Sequence, residues 1–228
     1  MAYPFDRETL PGKAIRPYVE RALYRSLRRS LRAVYIKGQL PKPPFVLAMN
    51  HHSFFDGHLV WFLFKVGKIR GSLLVSEENL RAFPVLRSAG ALDAHRLREA
   101  LRRLRSGEAV AVFPEGEMRP AGPLGPLKPG AVWLAKKAGV PILPAASRVW
   151  LRGFEHPEAF LLLGEPILPD EKALEENLRD FLSTLDELYF STHPREVLPG
   201  FHPILFSRRS LDERLKTLTG KLANLFRV

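Results

Sequence analysis

Residues 50–57 have the sequence NHHSFFDG and place two histidines shortly before an aspartate. They follow an apolar run, residues 45–49, that is typical of a buried strand, and they lead into a helical pattern. A turn of this kind can bring His51 against Asp56, where a carboxylate fixes the imidazole tautomer and stabilises the imidazolium formed during proton transfer. His51 and Asp56 are therefore the candidate catalytic base and its orienting carboxylate, with the substrate's own hydroxyl as the nucleophile. For this spacing alone, a loop histidine followed by a helix-capping aspartate is the alternative.

A second polar segment, residues 113–119, has the sequence FPEGEMR and follows another apolar strand pattern. The carboxyl ends of parallel strands meet at one edge of a sheet, so this segment should lie near His51. Gly116 permits a tight turn there, and a backbone amide near it is a candidate donor to an oxyanion. Glu115 and Arg119 would point polar groups into the same crevice. A solvated turn at the end of a strand is the alternative for this piece alone.

Two shorter segments complete the set of candidates. Residues 90–96, with the sequence GALDAHR, place Arg96 at the start of a predicted helix, where a guanidinium can bind a phosphate. Residues 140–144, with the sequence VPILP, form an apolar strand bounded by prolines, for which a purely structural core strand is the alternative.

These segments alternate with helical patterns, and the alternation predicts an α/β fold: a single domain with a largely parallel central sheet flanked by helices. A proline- and glycine-rich stretch, residues 120–126, predicts an active-site loop or a lid. The predicted helices cover residues 16–35, 55–66, 77–87, 95–105, 130–138, 171–190 and 210–226. The predicted strands cover residues 45–49, 71–75, 89–92, 109–113, 141–145 and 160–163.

The composition limits the partners and the chemistry. Lys and Arg number 35 against 24 Asp and Glu, a formal charge of +11, so an anionic partner is expected. Cysteine is absent, which excludes disulfides and thiolate nucleophiles. The first helix carries apolar residues at helical spacing among many arginines, as in a helix that lies on a membrane surface or packs its apolar stripe on the domain.

In order and spacing, the four segments resemble the blocks of the glycerolipid acyltransferase family, which includes lysophosphatidate (1-acyl-sn-glycerol-3-phosphate) acyltransferases. The resemblance covers roughly residues 40–166. The matching residues are Asn50, His51 and Asp56 in the first block, Gly90 and Arg96 in the second, residues 113–116 in the third and residues 140–144 in the fourth.

The resemblance implies transfer of a fatty acyl group from acyl-CoA or acyl-carrier protein to a lysophospholipid hydroxyl, with 1-acylglycerol-3-phosphate as the expected acceptor. It implies no bound cofactor and no metal ion. In that family the first block is catalytic and the second and third hold the acceptor's phosphate. Carried onto this chain, the expected substrate-binding residues are Arg96, Glu115, Gly116 and Arg119, with Pro141 from the fourth block.

Two departures from the family pattern add negative charge near the expected phosphate site. Glu117 and Met118 stand where the family has Thr-Arg, so Arg119 comes one position late. Asp93 replaces a residue that is usually apolar. Both changes leave room for a neutral or sugar hydroxyl as the acceptor, because a carboxylate repels a phosphate.

The same reasoning divides the chain into a basic amphipathic helix (residues 1–40), an acyltransferase domain (residues 41–190) and a basic helical tail (residues 191–228). No segment has the pattern of a leader peptide or a membrane span. The expected location is cytoplasmic, peripheral on the inner face of the cell membrane. The expected partners are an anionic membrane surface, the lysophospholipid acceptor and, as one choice of donor, acyl-carrier protein.

Four alternatives remain at this point. The pattern HHxxxDG is also similar to that of condensation and chloramphenicol acetyltransferase domains, in which the second histidine, here His52, is the base. Its early position and the three further blocks favour His51. The positive charge would also suit a nucleic-acid binder, although no nucleic-acid-binding module is recognisable and nucleic acid is not an expected partner. The third alternative is a membrane-bound scaffold without catalysis. The fourth is a metal site of His51, His52 and Asp56, which is disfavoured because adjacent histidines usually cannot both bind one ion.

Overall fold

Strands and helices alternate along most of the chain in the computed structural model, which describes residues 4–216 and 219. The helices are α1 (Leu10–Ser30), α2 (Asp56–Val66), α3 (Glu77–Ala82), α4 (Leu97–Arg105), α5 (Gly130–Ala138) and α6 (Glu171–Ser191), with a 3-10 helix at Pro84–Ala89. The strands are β1 (Ala33–Lys37), β2 (Val46–Met49), β3 (Gly71–Val75), β4 (Ala91–Asp93), β5 (Ala109–Val112), β6 (Ile142–Trp150), β7 (Glu158–Leu163) and β8 (His202–Phe206).

One sheet of eight strands, in the order β4-β3-β5-β2-β6-β7-β1-β8, contains all the strands of the described residues. The five strands from β4 to β6 are mutually parallel. Strand β7 is antiparallel to β6, β1 is parallel to β7, and β8 is antiparallel to β1. The predicted α/β domain with a largely parallel sheet is thereby confirmed.

Helices cover both faces of the sheet, and the central strand β2 shows why. Its residues Leu47 and Met49 pack into the same core as α1 and α2, whereas Val46 and Ala48 pack into the core of α4, α5 and the first part of α6. A strand with both faces buried has a continuous apolar sequence. Because β2 and β5 are adjacent and parallel, the segments that follow them emerge side by side at one edge of the sheet.

The first helix differs from its prediction at both ends. It begins at Leu10, where the Thr9 side chain accepts a hydrogen bond from Gly12 N at 3.1 Å, and it ends at Ser30. Residues 33–35, the end of the predicted helix, belong instead to β1 between β7 and β8, because pairing with two distant strands outweighs the local helical spacing. The apolar stripe packs inward: Leu27 and Leu31 are fully buried.

The predicted boundaries at residues 40 and 190 do not separate structural units, because β1 and β8 lie in the same sheet as the strands between them. Strand β8 was not predicted, since it is an exposed edge strand that contains Pro203. Of the predicted helix 210–226, residues 211–216 are helical, while 217–218 and 220–228 lie outside the described residues.

Two other elements differ in length from their predictions. The predicted helix 77–87 stops at Ala82, because Phe83 precedes Pro84 and a residue before proline disfavours the helical conformation. The predicted strand 141–145 continues to Trp150 as β6, and this extension reaches the turn after β2. No helix of the described residues combines the length and the apolar character needed to cross a bilayer.

Candidate active site

His51 and Asp56 lie in the turn that joins β2 to α2. His51 Nδ1 is 2.8 Å from Asp56 Oδ2, a hydrogen bond in which the imidazole donates. The Asp56 carboxylate is fully buried, whereas 24% of the His51 side chain is exposed. A proton on Nδ1 makes Nε2 the basic nitrogen, and among the described residues Nε2 has no hydrogen-bond partner. The imidazole is thus oriented by a carboxylate and accessible to a substrate.

The Asp56 carboxylate accepts hydrogen bonds from backbone N–H groups of the preceding turn and from a hydroxyl on β6. Oδ2 accepts from the backbone N–H groups of His52 and Ser53, each at 2.8 Å, and Oδ1 accepts from Ser147 Oγ at 2.9 Å. A capping aspartate would instead accept from N–H groups later in the helix. Asp56 therefore organises the turn and the imidazole rather than the start of α2.

The segment after β5 holds His51 on its other side. The His51 ring stacks on Phe113, with centroids 4.3 Å apart and planes at 16°. His51 N donates to Glu115 Oε2 at 2.8 Å, and His51 O accepts from Arg119 N at 2.9 Å. Both backbone groups of the histidine are thus bound to residues 113–119, so the structure brings these two predicted segments together.

His52 is committed to a structural contact. Its Nε2 accepts from Val149 N at 3.1 Å, and burial lowers the pKa of His52. Beside it, Asn50 Oδ1 accepts from Ser147 N at 2.8 Å. A buried nitrogen that already accepts a backbone N–H cannot also take a proton from a substrate. The geometry therefore favours His51 over His52 as the base.

Ser147 is a site residue that sequence reasoning missed, because it lies beyond the predicted end of its strand and belongs to no recognised block. Replacing Ser147 with alanine removes the donor to Asp56 Oδ1 and leaves that buried oxygen unpaired. For the expected acyl transfer, kcat should fall about 10-fold with little change in KM. The free energy of unfolding should fall by about 1–3 kcal/mol. Steady-state kinetics and thermal melts measure both.

The control for Ser147→Ala is Ser183→Ala, which removes an exposed hydroxyl that contacts Glu187 on the surface of α6. It should leave both quantities unchanged. A Ser147→Ala protein with the kcat of the wild type would contradict a positioning role for this hydroxyl.

Glu115 is buried, but it does not do what the sequence led us to expect. It was expected to bind substrate, whereas its two oxygens accept from His51 N at 2.8 Å and Gly125 N at 3.0 Å. No arginine of the described chain lies within ion-pairing distance of it. Glu115 therefore ties the loop after β5 to the catalytic turn.

Arg119 and Glu117 form an ion pair at the surface of this loop. Arg119 Nη2 lies 2.6 Å from Glu117 Oε1, with the side chains 36% and 63% exposed. The arginine stem crosses Gly125, so closely that a Cβ there would lie 2.5 Å from Arg119 Cδ. The arginine expected to bind a phosphate is thus already partly neutralised by a neighbouring carboxylate.

Gly116 makes the tight turn that its sequence predicts. It has φ +74°, a conformation that L side chains rarely adopt. The Gly116 amide donates to Phe113 O at 3.0 Å, so it is itself committed to the turn, and an oxyanion donor near Gly116 would be a neighbouring amide.

Arg96 lies at the same edge of the sheet as His51 but is not beside it. It follows β4, which is three strands from β2, or about 14 Å at the usual strand spacing. It lies 3.5 Å from Asp93 and lines an open surface cavity of ≈ 400 Å³ together with Arg81 and Arg87. The structure therefore does not bring Arg96 into contact with the dyad.

Pro141 was expected to bind substrate, but the structure does not bring it to the catalytic turn. It precedes β6, and its carbonyl accepts from Val46 N at 3.0 Å at the start of β2. The residues that end β2 pair four positions further along β6, where Met49 lies opposite Ala145. Pro141 therefore stands at the opposite edge of the sheet, about 15 Å from the catalytic turn. Its segment is a core strand.

Metal binding was one chemistry that the two histidines and Asp56 suggested. Within the part of the chain that the structure describes, no three His, Asp or Glu side chains are grouped to hold a metal ion. The two imidazoles instead engage Asp56 and Val149 N.

The position of the His-Asp pair at the carboxyl edge of a parallel sheet, beside a Phe-Pro-Glu-Gly turn, corresponds to the arrangement expected of an acyl-transfer enzyme. The sequence model of the acyltransferase family matches residues 32–148, just over half of the 228 residues. The chain belongs to the acyltransferase family.

Within this family, the chain is similar to 1-acyl-sn-glycerol-3-phosphate acyltransferases. The enzyme of that name from Bacillus subtilis is 28% identical over 194 residues, which cover 72% of this chain and 94% of that protein. The chloroplastic enzyme from Brassica napus is 31% identical over 114 residues, but the match spans only 32% of that longer protein.

A solved structure has the same fold. It is the crystal structure of the 1-acyl-sn-glycerophosphate (LPA) acyltransferase PlsC from Thermotoga maritima, with a TM-score of 0.51 and 25% sequence identity. The match covers 78% of this chain and 80% of the Thermotoga chain.

Proposed function

We propose that the protein transfers a fatty acyl group from acyl-CoA or acyl-carrier protein to the free hydroxyl of a lysophospholipid, with 1-acylglycerol-3-phosphate as the acceptor. The observation that carries this proposal is the 2.8 Å contact between His51 Nδ1 and Asp56 Oδ2 in an open turn. The names of the Bacillus and Thermotoga relatives support the choice of acceptor.

In the proposed mechanism, His51 Nε2 takes the proton of the acceptor hydroxyl while its oxygen attacks the thioester carbonyl. Asp56 keeps Nδ1 protonated and stabilises the imidazolium that forms. The tetrahedral intermediate collapses as the new C–O ester bond remains and the C–S bond breaks, and His51 returns the proton to the departing thiolate. Phe113 and Glu115 fix the ring and backbone of His51 during these steps. No cofactor or metal ion takes part.

The direct test is an assay of purified protein with labelled acyl-CoA or acyl-carrier protein and a panel of acceptors. The panel contains lysophosphatidate, other lysophospholipids, glycerol-3-phosphate and a glycolipid. We expect the labelled product to be diacylglycerol 3-phosphate. Turnover with the glycolipid alone would show that the acceptor is neutral and does not carry a phosphate. The absence of thioester turnover with every acceptor would contradict the enzyme assignment.

We further propose that the reaction takes place on an anionic membrane surface, with the protein peripheral on the cytoplasmic face. The net charge of +11 supports attraction to anionic lipid. Phe54 and Met118 stand on the two loops that hold His51, and they are 69% and 58% exposed. The buried apolar stripe of α1 is not available for lipid, so contact would come from its arginine-rich face and from these apolar tips.

Vesicle flotation tests the membrane proposal, beside an electrophoretic shift assay with DNA and RNA. We expect the protein to float with anionic vesicles at low salt and to be released as salt rises. A shift of nucleic acid without flotation would contradict the proposal and favour a nucleic-acid binder.

A further inference from the structure

The loop between β5 and α5 folds back so that Lys128 lies over Gly116. Lys128 N donates to Pro114 O at 2.7 Å, which closes the loop. The lysine side chain then crosses Gly116 so closely that a Cβ there would lie 2.6 Å from Lys128 Nζ. The backbone conformation at position 116 favours glycine, and the absence of a side chain there leaves the space through which the lysine passes.

The ammonium group of Lys128 is not neutralised by a carboxylate. The side chain belongs to an exposed residue, and in residues 4–216 and 219 no Asp or Glu oxygen lies within 4 Å of Nζ. By contrast, the only other cation of the same loop, Arg119, is paired with Glu117 at 2.6 Å.

The position of this ammonium is linked to the catalytic histidine. It lies against Gly116, whose neighbour Glu115 accepts a hydrogen bond from His51 N at 2.8 Å. Pro114, which binds the Lys128 amide, follows Phe113, the residue that stacks on the His51 ring. Lys128 and His51 therefore both contact the turn formed by residues 113–116.

We propose that Lys128 binds a phosphate group of the bound substrate, in the role that the family pattern led us to expect of Arg119. The inference rests on the proposed function and names the phosphate ligand of that site. A lysine ammonium is a compact charge with three donors that suits a phosphate oxygen. The phosphate comes either from the acceptor, close to the hydroxyl that His51 deprotonates, or from the acyl donor.

Kinetics with Lys128→Met, Lys128→Arg and the control Lys136→Met test the proposal. Lys136 is an exposed lysine in the last turn of α5, so its replacement removes the same charge elsewhere. For Lys128→Met we expect the KM for lysophosphatidate to rise about 10- to 100-fold, with most of this effect reversed in Lys128→Arg. The KM for a neutral monoacylglycerol and the kinetics of Lys136→Met should not change.

The pattern of KM values identifies the source of the phosphate. A raised KM for lysophosphatidate alone assigns Lys128 to the acceptor, and a raised KM for acyl-CoA alone assigns it to the donor. Equal KM values for Lys128→Met and wild type, or an equal loss with the neutral acceptor, would overturn the proposal.

Calorimetric titration with lysophosphatidate separates failure of this inference from failure of the proposed function. Binding by the wild type that is weakened at least 10-fold in Lys128→Met would support the phosphate site even if no acyl transfer occurred. A second titration with acyl-CoA covers the donor. Equal binding of lysophosphatidate and equal binding of acyl-CoA by both proteins would together overturn the inference even if the wild type proved active.

Discussion

Replacing His51 with alanine is expected to lower kcat for acyl transfer about 1000-fold. The imidazole is the general base of the proposed mechanism, and a positioned base contributes about 100- to 10,000-fold to such reactions. The fold should survive, because the imidazole makes one side-chain hydrogen bond, to Asp56, and the backbone contacts of His51 remain. Release of thiol from acyl-CoA measures kcat, and thermal melting measures the fold.

The matched control for His51→Ala is the neighbouring histidine. His52→Ala loses the acceptor for Val149 N and fills less of a buried space, so its melting temperature should fall while most of its kcat remains. Loss of activity in His52→Ala with activity kept in His51→Ala would reverse the assignment of the base.

Replacing Asp56 with asparagine is expected to lower kcat by a similar factor, about 1000- to 10,000-fold, by analogy with the aspartate of serine-protease triads. The amide can keep the shape of the carboxylate: its oxygen can accept from the backbone N–H groups of His52 and Ser53, and its NH₂ can donate to Ser147 Oγ. What it loses is the negative charge that stabilises the His51 imidazolium. The same thiol-release assay and a thermal melt measure the two effects.

Two further variants frame the Asp56→Asn result. Asp56→Ala leaves two backbone donors and a hydroxyl without their acceptor, so its free energy of unfolding should also fall, by about 3–5 kcal/mol. Asp170→Asn alters an aspartate that caps α6 through Ala173 N, far from the catalytic turn, and should keep full activity. Wild-type kcat in Asp56→Asn would show that Asp56 is only a structural residue of the turn.

Much of the catalytic edge could be predicted because it depends on local patterns. Strand β3 and helix α5 have the predicted bounds, since each is a single periodic segment between strong turn signals. The pairing of His51 with Asp56 follows from a strand, a turn and a helix in succession. The same reasoning placed residues 113–119 beside them, because parallel strands end at one edge.

The rest depends on contacts between distant parts of the chain. The local sequence of β1 continues the helical spacing of α1, and only its pairing with β7 and β8 makes it a strand. The local sequence around Ser147 likewise gives no sign of a site residue, because Ser147 reaches the catalytic turn only through the extension of β6. The crossing of Lys128 over Gly116 depends on a closed loop. Pro141 is different, because its place could have been predicted: a residue that begins a parallel strand stands opposite the residues that end one.

A single-turnover assay of labelled acyl-CoA with lysophosphatidate, run with wild type, His51→Ala and His52→Ala at equal concentration, tests whether His51 is the base of acyl transfer. We expect labelled diacylglycerol 3-phosphate from the wild type and from His52→Ala, with the rate for His51→Ala lower by about 1000-fold. Equal rates for His51→Ala and wild type would show that His51 is not the base.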